Sequence, residues 1–142
     1  MTSTEPATYD AVDPFDLPEW LGDHDVTWAP QRGMREGHLV TGDLTAAEHA
    51  LGCDLLAVDE AYPAPVAGDD VRLRAHQAWR NGEVLLIRHD GRLTLAVPGT
   101  RFSADLALDA LSRLARAVGS SPSRYAALLK IGAERPPGRS GR

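Results

Sequence analysis

The sequence predicts an α+β domain, a small antiparallel sheet of about four or five strands packed against two main helices, with a short C-terminal helix. Three observations predict it. Two β-rich runs, 84–87 and 93–97, flank Asp90-Gly91, a dipeptide suited to a two-residue hairpin loop. Segments 69–81 and 103–118 carry apolar residues at helical spacing. No succession of segments reads as a parallel strand–helix–strand crossover.

The elements follow in order. Residues 1–25 form an acidic leader that reads as partly disordered. Within it, segment 15–21 places Phe15, Leu17, Trp20 and Leu21 among polar neighbours, so it must dock on its own domain or on a partner. Residues 26–131 read as a single α+β domain. Residues 38–42 read as a short strand. Thr45-Ala46-Ala47-Glu48 has the capping-box pattern and predicts a short helix stopped by Gly52. Residues 54–58 form a strand whose nearly continuous apolar run predicts cover on both faces.

The helix at 69–81 has Val71, Ala75, Ala78 and Trp79 on one stripe, acids at its start and Gly82 after its end. The hairpin loop then fixes a register of His89 opposite Arg92, Ile87 opposite Thr94 and Leu85 opposite Ala96. One face of this hairpin carries Val84, Leu86, Leu93, Leu95 and Val97; the other carries Leu85, Ile87, Thr94 and Ala96. Both faces are apolar, so helices, another sheet or a second subunit must cover them. Ser103 caps the next helix, which buries Ala107, Ala110, Leu111, Leu114 and Val118 and stops at Gly119. Pro122 opens a short helix to Ile131. Residues 132–142 read as a disordered basic tail.

Charge is unevenly spread. The 142 residues carry a net −5, which divides into −7 over residues 1–31, −4 over 32–109 and +6 over 110–142. Fourteen of the fifteen cations are Arg, and the many Ala, Gly and Pro beside them point to genome composition. A single cysteine excludes an internal disulfide framework. The apolar runs fall short of the ~18 residues a membrane span needs, and an acidic start is unlike a secretion signal, so the expected location is cytoplasmic.

The stretch Ala75-His76-Gln77-Ala78-Trp79-Arg80-Asn81, the hairpin around Asp90-Gly91, Val97 and the amphipathic helix after it resemble the type III secretion chaperone-like fold, in particular the YbjN-type proteins, over about residues 73–118. The resemblance implies a small protein, often a dimer, that serves as chaperone, regulator or partner of other proteins without enzymatic activity. It offers no active site to carry over. The family has three strands before its first long helix; this sequence shows two, with Val26-Thr27-Trp28 as a candidate third.

Chemistry is sparse. Cys53 stands four residues after His49, a shared face on a helix, but Gly52 intervenes and a small buried thiol is the plainer reading. His24, His38, His49, His76 and His89 form no ligand-pair motif, so no metal or other cofactor is expected. Asp59 and Glu60 close the second strand and, with Tyr62, His76 and Arg101, make the candidate polar cluster; paired acids there can serve acid–base work or hold a cation. Pro98-Gly99-Thr100-Arg101 precedes a helix N-terminus and offers an anion loop.

These features favour a noncatalytic protein-interaction module, chaperone-, adaptor- or regulator-like, with another protein as partner and a homodimer as one form of it. Phe15, Leu17, Trp20, Leu21, Leu85 and Ile87 are its candidate contact residues. One alternative is a small hydrolase or metal-dependent enzyme using Asp59, Glu60 and His76. Another is weak nucleic-acid binding through the basic C-terminal segment, which the negative net charge and scarce aromatics disfavour.

Overall fold

The structure, a computed structural model, describes residues 10–23, 26–31, 37–59, 67–89 and 91–119. Among the described residues there are seven strands: β1 (Asp10–Ala11), β2 (Thr27–Pro30), β3 (Leu39–Val40), β4 (Gly42–Ala46), β5 (His49–Ala57), β6 (Leu85–His89) and β7 (Arg92–Val97). A 3-10 turn spans Pro14–Asp16. The helices are α1 (Trp20–Asp23), α2 (Asp69–Arg80) and α3 (Ala104–Ala117). All strands join one sheet in the order β1-β6-β7-β5-β4-β2, with β3 also on β5.

The α+β class holds, but the sheet has seven strands rather than four or five, and it is mixed. β5 and β7 pair in parallel, Cys53 beside Leu93 and Ala57 beside Val97. The chain makes this crossover through α2 and β6, a long detour that local patterning does not reveal. β2 supplies the strand around Val26-Thr27-Trp28 and pairs with β4.

The short helix expected at 45–48 is absent. Thr45 lies in β4, and Ala47-Glu48 is a two-residue turn that sets Ala46 opposite His49. Ala47 adopts φ 55°, the left-handed conformation a tight hairpin demands. The capping pattern loses because β4 and β5 gain a full ladder and bury Leu44 and Ala46 on one face, whereas a four-residue helix gains one turn. The same ladder ends the helical His49–Cys53 relation. The short helix at 122–131 and the tail at 132–142 lie outside the described residues.

The hairpin register matches expectation, with Leu85–Ala96, Ile87–Thr94 and His89–Arg92 paired. Its two apolar faces are covered by one helix each. Leu86, Leu93, Leu95 and Val97 pack with Ala107, Ala110, Leu111 and Leu114 of α3. Ile87 and Ala96 pack with Val71 and Ala75 of α2. Burying each Leu or Ile this way stabilises by roughly 1.5–3 kcal/mol. The Ser103 hydroxyl caps α3 by accepting from the Leu106 amide at 3.4 Å.

Trp28 is fully buried, and its indole N–H donates to the Cys53 carbonyl at 2.9 Å. A Cβ on Gly42 would stand 2.5 Å from the Trp28 ring, so glycine is what lets the ring cross β4.

Candidate functional site

The leader is docked. Asp10 and Ala11 pair with Arg88 and Ile87, and the Val12 amide donates to the Leu86 carbonyl at 2.9 Å. Further along, Leu21 is fully buried, Leu17 and Trp20 pack on the α3-side core, and Trp20 stacks on His49 with ring centroids 5.0 Å apart. The segment is therefore pinned at both ends to its own domain. Of its large apolar side chains, Phe15 alone turns outward, at 92% exposure.

The turn that presents Phe15 is built by Asp13. Its carboxylate accepts from the Phe15 amide at 3.0 Å, and its carbonyl accepts from the Asp16 amide at 2.8 Å. These bonds fix the backbone locally in the manner of an Asx turn. Asp10, Asp13, Asp16 and Glu19 are exposed around it, and no Lys or Arg occurs from residue 10 to 23. The result is an aromatic knob on a preset turn within an acidic segment.

The other contact residues expected from sequence are not free. Leu21 and Ile87 are fully buried within the chain, and Leu85 is half-buried against the α2-side core. The hairpin faces that seemed to need a partner are satisfied internally.

Part of the polar cluster assembles. β5 and β7 are parallel neighbours, and beyond their carboxyl ends the chain turns to α2 on one face and α3 on the other. Such a divergence opens a crevice where α/β sheets commonly bind ligands. Asp59 stands there. Its Oδ2 accepts from the Gly99 amide at 2.8 Å, its amide donates to the Gly99 carbonyl at 2.8 Å, and its Oδ1 lies 2.6 Å from Nε2 of His76. Arg72 donates to the Asp59 carbonyl at 3.4 Å and pairs with Asp69 at 2.6 Å. With the exposed Leu73 these groups line a shallow cavity of about 430 Å³. Glu60 and Tyr62 lie outside the described residues. Arg101 is exposed on the β7–α3 loop. Among the described residues no group of three potential metal-ligating side chains occurs.

Two polar assemblies were not foreseen. Asp54, almost fully buried, receives Nε and Nη2 of Arg92 at 2.9–3.1 Å, and Arg92 also donates to the Gly42 carbonyl at 2.7 Å. The hydrogen bonds to Asp54 hold the Arg92 pKa above its ordinary value. Gly52 clears the path, since a Cβ there would stand 2.6 Å from the guanidinium carbon. At the far end of the sheet, Arg113 lies over the Trp79 ring, 3.3 Å from its centroid, and donates to the Trp79 carbonyl at 2.7 Å. The signal available in sequence was a charge opening each of two apolar strands, Asp54 and Arg92, with glycine beside one of them.

Cys53 is fully buried, and that burial pushes its thiol pKa up, with the Asp54 charge adding to the effect. Such a thiol is a core side chain rather than a nucleophile. Arg113 and Arg116 of the basic segment are bonded to backbone carbonyls in the last turn of α2 and just after it; the cations from Arg124 onward lie outside the described residues. No helix among the described residues is long and apolar enough to cross a membrane. No family model, curated protein or solved structure matches the chain.

Proposed function

We propose that the protein is a noncatalytic interaction module, of chaperone, adaptor or regulator type, whose docked leader offers Phe15 to another protein. The exposure of Phe15 on a preset turn carries this reading. A flexible peptide must be ordered on binding; a turn already fixed by Asp13 avoids much of that cost. Aromatic anchors of this kind dominate protein interfaces when a pocket receives them. The surrounding acids select a partner whose apolar pocket has a basic rim, and make capture salt-sensitive. The resemblance of residues 73–118 to the YbjN-type proteins implies the same kind of role.

The test is a photo-crosslinking amino acid at position 15, compared with the same group at exposed position 73. A discrete partner adduct is expected from 15, competed by the unlabelled wild-type chain, not by Phe15→Ser, and weakened by high salt. Equal competition by both chains would overturn the proposal. Analytical ultracentrifugation at micromolar concentration then tells whether the partner is a second copy.

One observation favours a second reading. The Asp59–His76 contact at the crevice beyond β5 and β7 is an arrangement that can move a proton, as a small hydrolase or metal-dependent enzyme using Asp59, Glu60 and His76 would require. It predicts a hydrolytic activity lost on Asp59→Ala.

A further inference from the structure

We infer that the cavity between β1 and the C-terminal ends of α2 and α3 binds a small apolar carboxylate, its tail on the cavity floor and its carboxylate on Arg116. The cavity measures about 410 Å³, within the ~300–1,000 Å³ typical of small-molecule sites. Its floor is aliphatic, with Val12, Val84, Leu85 and Leu86 from the leader and the β6 region and Ala117 from α3. Its charged lining residues are Arg113, Arg116 and Glu83.

The two arginines have different tasks. Arg113 is fully engaged: it covers Trp79, donates to the Trp79 and Glu83 carbonyls, and is neutralised by Asp109 at 3.3 Å. It forms a fixed wall. Among the described residues Arg116 is anchored by one bond, from Nη1 to the Gly82 carbonyl at 2.9 Å. A guanidinium has five donor hydrogens and no acceptor, so this bond orients Arg116 and leaves other donors for a ligand. Among the described residues Glu83 is the one carboxylate of the lining, and it is exposed. Arg113 is already matched by Asp109, and among the described residues no ion pair joins Arg116 to Glu83, so Arg116 is the cation left facing the aliphatic lining. A tailless anion would leave that floor wet, and a neutral tail would leave Arg116 unmatched. An apolar chain ending in a carboxylate satisfies both, with the paired oxygens matching the guanidinium fork.

The test uses the full chain and sodium decanoate below its micellar concentration, followed by ¹H–¹⁵N correlation spectra. Saturable shifts are expected at Val12, Leu86 and Ala117. Decanol, inorganic phosphate and the Arg116→Gln variant are each expected to bind about ten-fold more weakly or worse. Arg116 is exposed, so unchanged resonances around Asp59 and His76 will confirm that the variant is folded. Phe15→Ser, whose side chain is not part of the cavity lining, is expected to bind decanoate like the wild type, which separates this site from the interaction surface. Absence of saturation, shifts that map elsewhere, or equal binding by decanol or by Arg116→Gln would overturn the inference.

Discussion

β5 carries one aspartate within it and a second just past its end, and each holds a basic partner, yet the two pairs differ in kind. Asp54 is 4% exposed and bonds the Arg92 guanidinium through both oxygens, while its Oδ1 also accepts from the Gly42 amide at 3.3 Å. Asp59 and His76 meet in a shallow cavity with 48% of the imidazole side chain and 29% of the carboxylate side chain in solvent. The first pair ties β4, β5 and β7 together at a single depth and leaves little of its carboxylate accessible. The second joins the loop after β5 to α2 and keeps an imidazole edge in water. Burial, more than charge, separates a pair that fastens a sheet from one that a ligand can reach.

The comparison breaks most visibly at Asp54. In Asp54→Ala the Arg92 charge keeps its place beside the core and loses its main counter-ion, with only the longer Asp43 contact at 3.6 Å left. Removing one partner of a buried pair typically costs about 3–5 kcal/mol. A urea titration should show the midpoint falling accordingly, with the slope unchanged. A loss under about 1 kcal/mol, the level of surface pairs, would mean that water reaches this pair and the contrast with Asp59 is false.

A smaller effect sharpens the same contrast. In Gly52→Ala the new methyl meets the Arg92 guanidinium, which must shift away from Asp54. Overpacking of this kind costs about 1–3 kcal/mol. The informative measurement is the double-mutant cycle with Arg92→Ala: once the guanidinium is gone, the added methyl should cost much less. Additive losses would show that Gly52 serves the backbone of β5 rather than the passage of Arg92.

Legibility in the sequence followed the range of the interactions. The 85–97 hairpin was readable to the residue because its turn and alternation are local. The helices at α2 and α3 were readable from their stripes and caps. The β4–β5 hairpin was hidden because Ala47-Glu48 lacks the glycine or asparagine that marks a tight turn, and its Thr and Glu mimic a capping box. The parallel pairing of β5 with β7 joins residues forty apart, Cys53 to Leu93, and no local rule reports it. The Asp54–Arg92 pair inherits that distance. Asp59 was singled out as a polar group closing a strand and His76 as one on the first long helix, and the fold brings them together; Gly99, which orients Asp59, carries no side chain to betray it.

The weakest expected effect is at the exposed pair. His76→Gln removes the imidazole while Asp59 keeps its bond from the Gly99 amide and stays hydrated on its other side. Exposed ion pairs contribute about 0–1 kcal/mol, and salt screens them. The variant should therefore unfold within about 1 kcal/mol of the wild type at low ionic strength, the range of such pairs, and the difference should shrink further as salt is added. The Asp54→Ala loss should persist under the same salt, because water and ions are excluded from that carboxylate. If His76→Gln instead costs as much as Asp54→Ala, the imidazole is a strut between α2 and β5. The crevice beyond the parallel strands would then be closed by structure rather than open to chemistry.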